Sequence, residues 1–133
     1  MKDLSIYFSP VSNDYAISEE SLGRAIQIHV ESGFPELTEK GVAIVYVPEY
    51  RNSKEVHKER NDSFRESLYL LNKGDAWVDN IYDLGDILPG ESIDDTFFAL
   101  AQVVAELVKK EIIPIILGGS QNLTLACYKG FEN

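Results

Sequence analysis

The sequence predicts an α/β protein with three α/β/α layers built around a parallel sheet. Three short apolar segments, residues 42–47, 80–84 and 112–117, have the composition of strands. The first and third are almost continuously apolar, which is typical of parallel strands that are covered on both faces. Helical patterns separate the strands, and this alternation favours right-handed crossovers within one sheet.

The first helix is predicted to begin at Ser63. Ser63 and Glu66 have the spacing of a capping box, and Gly74 is a stop signal. Because the apolar residues of this segment fall on one side of a helix, we expect that side to be buried. Those residues are Phe64, Leu68 and Leu71.

The second helix has the clearest periodicity in the chain. Ser92 and Asp95 repeat the capping-box spacing, and Lys109 and Lys110 place positive charge at the carboxyl end, where it complements the helix dipole. An apolar stripe with a period of 3.6 residues predicts the face that packs on the sheet. The stripe consists of Phe97, Leu100, Ala101, Val104 and Val108.

The residues before the first strong strand have weaker patterns. Ile6, Phe8 and Val11 suggest a short extended segment, and residues 18–30 are interpreted as a helix interrupted by Gly23. No repeat or linker is evident, so residues 1–133 are predicted to be a single unit. We divide it into an amino-terminal extension, residues 1–41, and a partial α/β domain, residues 42–133.

Charge and composition exclude several classes of partner. Acidic residues outnumber basic residues by 22 to 12, and the net charge of −10 disfavours nucleic acid and anionic lipid. No signal peptide or membrane anchor is recognised, and the single Cys127 cannot form an intrachain disulfide. These features predict a cytoplasmic protein that binds neither nucleic acid nor membrane.

The predicted sheet has an open edge. Three parallel strands with three helices enclose little core, and an unpaired edge invites pairing with another strand. We therefore expect either that the natural protein continues beyond Asn133 or that another subunit covers the surface. The second option predicts a homo-oligomer formed through the sheet edge or a helix face.

The junction after the third strand is the best candidate for a binding site. The strand ends in two glycines and leads into a third helix, predicted over residues 122–131 with Ser120 or Asn122 as its cap. Ligands of parallel sheets bind outside the carboxyl ends of strands. A tight turn is the favoured role of the glycines. The weak substrate-binding candidates are Gly118, Gly119, Ser120, Gln121 and Asn122.

Other polar residues have weaker claims to a site. Asp83 and Asp86 could bind a metal or a substrate amine, but a structural role is favoured because aspartate commonly caps turns. His29 and His57 have no partner at ligand spacing, and Cys127 is interpreted as a small buried residue. None of them is assigned a catalytic role.

Three segments together resemble the ureohydrolase family, which includes arginases, agmatinases and formimidoylglutamases. Residues 113–124 resemble the family pattern of an apolar strand followed by Gly-Gly-Asp-His-Ser, and residues 83–87 resemble its Asp-Leu-Gly-Asp element. Residues 42–48 resemble its first strand, with Tyr46 in place of a glycine. The resemblance covers residues 42–131, is closest to a formimidoylglutamase-like group, and implies part of an arginase-like fold.

The resemblance implies metal-assisted hydrolysis of guanidino or formimino carbon–nitrogen bonds, with a pair of manganese ions and a small-molecule substrate. Gln121 occupies the position of the family's first histidine ligand, and a neutral amide binds such a metal more weakly than imidazole does. The family's Asp-x-His-x-Asp motif is absent from these residues. We therefore expect no metal ligand, no catalytic residue and no cofactor in this chain.

Two functions remain open from the sequence. The first is an amino-terminal scaffold segment of a ureohydrolase-like protein that is inactive as this chain alone. The alternative is a noncatalytic binding or assembly module with an arginase-like fold. A flavodoxin-like small-molecule binder is a weaker third option, and nucleotide binding has little support because no phosphate-binding glycine motif follows a strand.

Overall fold

A computed structural model describes residues 3–11, 17–51, 63–74 and 80–132. His57 and the side chain of Ser63 lie outside the described part. The strands are β1 (Phe8–Ser9), β2 (Ile26–Ile28), β3 (Gly41–Tyr46), β4 (Asn80–Ile87) and β5 (Ile112–Leu117). The helices are α1 (Ser63–Leu70), α2 (Ile93–Lys109) and α3 (Leu123–Glu132), and short 3₁₀ turns span Leu4–Tyr7 and Leu22–Arg24.

The strands form one sheet with β4 and β3 at its centre. Along the order β1-β4-β3-β5, β3 pairs in parallel with both β4 and β5. The side of β4 that faces away from β3 is shared by two short strands: β2 pairs in parallel at Ile81 to Asp83, and β1 pairs antiparallel at Asp86 and Ile87. The sheet is thus parallel except for β1.

Apolar clusters on the two faces of the sheet establish the three predicted layers. Alternate residues of β3 point to opposite faces, as they must in a strand. Val45 belongs to the larger cluster, together with α2 and α3, whereas Ile44 belongs to the smaller cluster beneath α1. The α/β/α fold class is therefore confirmed.

The second helix has the predicted start. The Ser92 hydroxyl accepts a hydrogen bond from the Asp95 amide at 3.2 Å, and the Asp95 carboxylate accepts one from the Ser92 amide at 3.2 Å. This pairing is the capping box that the sequence indicates. With 17 residues α2 is the longest helix in the described ranges, and none of those helices is long and apolar enough to cross a membrane.

The helix predicted for residues 18–30 is wrong. The segment forms the 3₁₀ turn Leu22–Arg24 and strand β2 instead. A Cβ on Gly23 would lie 2.9 Å from Tyr69 Cβ, so the turn packs against α1 at a distance that glycine alone allows. Pairing with β4 then favours the extended conformation of the β-branched Ile26 and Ile28.

Candidate functional site

The glycine pair forms a left-handed turn at the carboxyl edge of the sheet. Gly118 has φ 80° and Gly119 has φ 81°, a conformation that other residues rarely adopt. A Cβ on Gly118 would lie 2.5 Å from Tyr46 Cε2, and one on Gly119 would lie 1.9 Å from Leu123 Cδ1. The positive φ values favour glycine at both positions, and at Gly118 the buried Tyr46 ring also leaves no room for a side chain. Their binding of a substrate stays a prediction.

The three residues after the glycines lead the chain into α3. The Ser120 amide donates to the Glu49 carbonyl at 2.9 Å, which joins this turn to the loop after β3. The Ser120 carbonyl accepts from the Leu123 amide at 3.1 Å, and its hydroxyl donates to Asn122 Oδ1. Gln121 is exposed beside them. The structure thus brings the five candidate residues into one turn.

Two tyrosines pack over this turn. Tyr46, the last residue of β3, is 3% exposed, and its ring is the group closest to Gly118. The Tyr46 and Tyr50 hydroxyls lie 3.0 Å apart, within hydrogen-bond distance. The Tyr46 ring therefore fills the space above Gly118. Tyr46 stands where the ureohydrolases that the sequence resembles commonly have a glycine.

A buried carboxylate lies in the loop after β3. Glu49 accepts hydrogen bonds from Arg51 Nε at 2.8 Å and from the Thr96 hydroxyl at 2.8 Å. The Arg51 guanidinium also donates to the carbonyl oxygens of Gly90 and Glu91, each at 2.9 Å. Hydrogen bonding from Arg51 holds the pKa of Glu49 below its ordinary value despite burial. This network ties the β3 loop to the start of α2.

A second ionic cluster is buried between α1 and the sheet. Arg65 donates to the Asp83 carboxylate from Nε at 2.9 Å and from Nη2 at 3.2 Å, and to Asp86 Oδ1 from Nη1 at 2.8 Å. Tyr69 donates its hydroxyl to Asp83. Burial alone lowers the pKa of Arg65, but the two aspartates more than offset it and raise the pKa above its ordinary value.

The contacts of Asp83 and Asp86 are those of a structural cluster. Asp83 Oδ1 also accepts from the Gly85 amide at 3.1 Å, a local turn bond of the kind aspartate favours. Sequence reasoning did not single out Arg65, Tyr69 or Glu49 as cluster members. Only the presence of charged residues beside apolar strands could have indicated such buried pairs.

The described residues do not provide a donor set for a pair of metal ions. Among them no three His, Cys, Asp or Glu side chains come together as a group that could hold a metal. His29 is buried, with Nδ1 2.9 Å from the Leu84 carbonyl and its ring against Phe34. Cys127 is half-buried, and burial raises the pKa of its thiol.

No protein-family model matches the chain, and a search of curated proteins found no significant match. The layers, the sheet and its glycine turn define the class of the molecule: it has part of an arginase-like α/β fold. Among solved structures, the chain is similar to formimidoylglutamase from Bacillus subtilis subsp. subtilis str. 168, with a TM-score of 0.67 and 21% sequence identity. The similarity covers 90% of this chain and 39% of that chain, so the chain spans less than half the neighbour's length.

Proposed function

We propose that this chain is the amino-terminal scaffold of a ureohydrolase-like protein and does not hydrolyse a substrate by itself. The observation that carries the proposal is the overlay of 90% of the chain on part of a formimidoylglutamase. Further support comes from the position of Gly118 and Gly119 at the carboxyl edge of the sheet, the edge at which parallel α/β folds bind ligands.

The proposed reaction of the whole protein is hydrolysis of a guanidino or formimino carbon–nitrogen bond in a small molecule. Two manganese ions would activate the attacking water in such an enzyme, and this requires several carboxylate and imidazole ligands. Gln121 offers only a neutral amide oxygen, and the Tyr46 ring fills the space over Gly118. Gln121 at the glycine turn is therefore poorly suited to hold one of the two metals.

The scaffold proposal is tested by titrating the purified chain with MnCl₂ in a calorimeter and measuring release of urea or formamide. Arginine, agmatine and formimidoylglutamate are the substrates to compare. We expect neither stoichiometric manganese binding nor product from the chain, and the same result from Gln121→His, because one imidazole does not complete a two-metal site. Turnover by the chain alone would overturn the scaffold role.

The relation to ureohydrolases is tested separately on the reading frame past Asn133. A longer protein that contains Asp-x-His-x-Asp, binds manganese and releases urea or formamide would support it. A longer protein that binds manganese but acts on none of the three substrates would contradict it.

The second candidate is a noncatalytic binding or assembly module with the same fold. Gln121 favours this reading, and so does the pairing of β5, which among the described strands pairs with β3 alone. Thermal-shift screening of small molecules, together with measurement of mass in solution, separates the two. A monomer at high concentration that no ligand stabilises would count against the module.

A further inference from the structure

The loop after β3 reaches from the glycine turn to the start of α2. We call it the β3 loop, and it comprises residues 47–51. On the side of the turn, the Glu49 carbonyl accepts a hydrogen bond from the Ser120 amide at 2.9 Å. The Tyr50 hydroxyl lies 3.1 Å from the position that a Cβ on Gly118 would take. The loop therefore contacts the turn through its backbone and through a side chain.

The Glu49 carboxylate holds the other side of the β3 loop. The side chain is 2% exposed, and both of its oxygens accept hydrogen bonds. Oε2 accepts from Arg51 Nε at 2.8 Å, and Oε1 accepts from Arg51 Nη2 and from the Thr96 hydroxyl. A buried carboxylate that loses a donor has no water at hand to replace it. The position of the loop therefore depends on this network.

Thr96 directs its hydroxyl proton at Glu49. The hydroxyl oxygen accepts from the Gly90 amide at 2.9 Å, and Arg51 Nη2 approaches it at 3.4 Å. A hydroxyl has one proton to donate, and two donors already face its oxygen. The proton therefore points to Glu49 Oε1, which is 2.8 Å away. Because Thr96 is 1% exposed and lies near the start of α2, the helix itself fixes this donor.

Glu49 is bonded through its side chain, its amide and its carbonyl at once. The amide donates to the Val47 carbonyl at 2.9 Å, and the carbonyl accepts from Ser120. The carboxylate is held by Thr96 and Arg51. A displacement of the carboxylate is therefore transmitted through the Cα of Glu49 to the carbonyl that holds Ser120.

We propose that Glu49 is a positioning residue that couples the start of α2 to the glycine turn. While Thr96 and Arg51 bind its carboxylate, its carbonyl stays where it accepts from Ser120, and residues 118–122 keep their arrangement. When the carboxylate loses Thr96, the β3 loop moves and the bond to Ser120 opens. A contact that displaces the start of α2 thereby loosens the candidate site. The proposal concerns the geometry of the turn and does not depend on the proposed function.

Amide hydrogen exchange followed by NMR tests the coupling. Thr96→Val keeps the shape of the side chain but removes the hydroxyl. We expect exchange at the Ser120 amide to become about tenfold faster or more, measured relative to the His29 amide. The His29 amide is a suitable reference because it donates to the Asp83 carbonyl at 2.8 Å, directly after β2. Thr96→Ser restores the hydroxyl, so it should restore slow exchange at Ser120.

Arg51→Met is a second variant that weakens the same network. The Arg51 side chain is 39% exposed, so its replacement is compatible with folding. It removes two donors from the Glu49 carboxylate, Nε and Nη2, and should also speed exchange at Ser120 relative to His29. An unchanged ratio of the two exchange rates in this variant would contradict the coupling.

Tyr69→Phe is the matched control for Thr96→Val. Its hydroxyl is likewise buried and donates to a buried carboxylate, that of Asp83, but it belongs to the cluster between α1 and the sheet. We expect exchange at Ser120 to stay slow in this variant, and circular dichroism establishes that each variant is folded. Three results would overturn the proposal: an unprotected Ser120 amide in the unmodified protein, equal changes at Ser120 and His29 in Thr96→Val, or equal acceleration of Ser120 by Tyr69→Phe and Thr96→Val.

Discussion

The Arg65 guanidinium and the Asp83 carboxylate form a two-point ion pair that is buried between α1 and the sheet. Nε lies 2.9 Å from Oδ2 and Nη2 lies 3.2 Å from Oδ1, and the two side chains are 1% and 0% exposed. Asp86 engages the third guanidinium nitrogen. The planar guanidinium thus satisfies two carboxylates away from water, which connects α1 to β4.

Arg65→Met is expected to destabilise the protein by about 3–5 kcal/mol, because it leaves buried carboxylates without their cation. Arg65→Lys should cost less, since the charge remains while the two-point geometry is lost. Urea unfolding followed by circular dichroism measures both free energies. A loss below about 1 kcal/mol for Arg65→Met, the range of an exposed pair, would contradict the buried pair.

Gly118→Ala is expected to destabilise the protein by about 2–4 kcal/mol, from a strained positive φ and a collision with the Tyr46 ring. Gly74→Ala is the matched control. Gly74 has φ 69°, but its added Cβ would meet no described atom within 4 Å. That variant should be destabilised only by the strain of its positive φ, which is about 1–2 kcal/mol. Equal losses, measured by urea unfolding, would show that the contact with Tyr46 has no energetic effect.

Glu111→Gly is expected to stabilise the protein by about 0.5–1 kcal/mol. Glu111 has φ 59° and follows Lys110, the C-cap of α2, at a position that glycine occupies without strain. Its ion pair with Lys40 spans 3.1 Å between exposed side chains and contributes little. Glu111→Ala removes the same pair but keeps the strain, so it should not stabilise. The midpoints of thermal unfolding compare the two variants.

Glu49 is expected to contribute to acid sensitivity. The pKa of Glu49 is lowered in the folded protein, so its stabilising effect is present above the unfolded pKa and is lost as the pH falls through the lower folded value. Glu49→Gln should lower the free energy of unfolding at neutral pH. That free energy should then fall less steeply below about pH 4.5 than it does in the unmodified protein. Unfolding free energies of both proteins across pH 7 to 3 measure the difference. Parallel curves would contradict the role of Glu49.

Local signals explain which elements were predictable. The start of α2 was readable because Ser92 directly before the helix and Asp95 in its first turn form the capping box. Strand β5 was readable from its uninterrupted apolar run, and its predicted bounds are the observed ones. By contrast, β2 was missed because its conformation depends on pairing with β4, more than fifty residues later in the chain.

Only part of the candidate site could be predicted in the same way. The strand and Gly118 with Gly119 indicated a turn at the carboxyl edge, and the positive φ values confirm the turn. The contact between Tyr46 and Gly118 joins residues 72 positions apart and leaves no local pattern. The cytoplasmic location, the homo-oligomer and substrate binding by residues 118–122 stay predictions.

The sequence by itself determined the α/β class, the three longer strands and the ends of α2, because periodicity and capping act between residues that are neighbours along the chain. Only the tertiary structure decided that Arg65 meets Asp83, that Arg51 and Thr96 both donate to Glu49, and that the Tyr46 ring covers the glycine turn. Burial sets the energy of each of these contacts, and burial arises when distant segments pack together and exclude water.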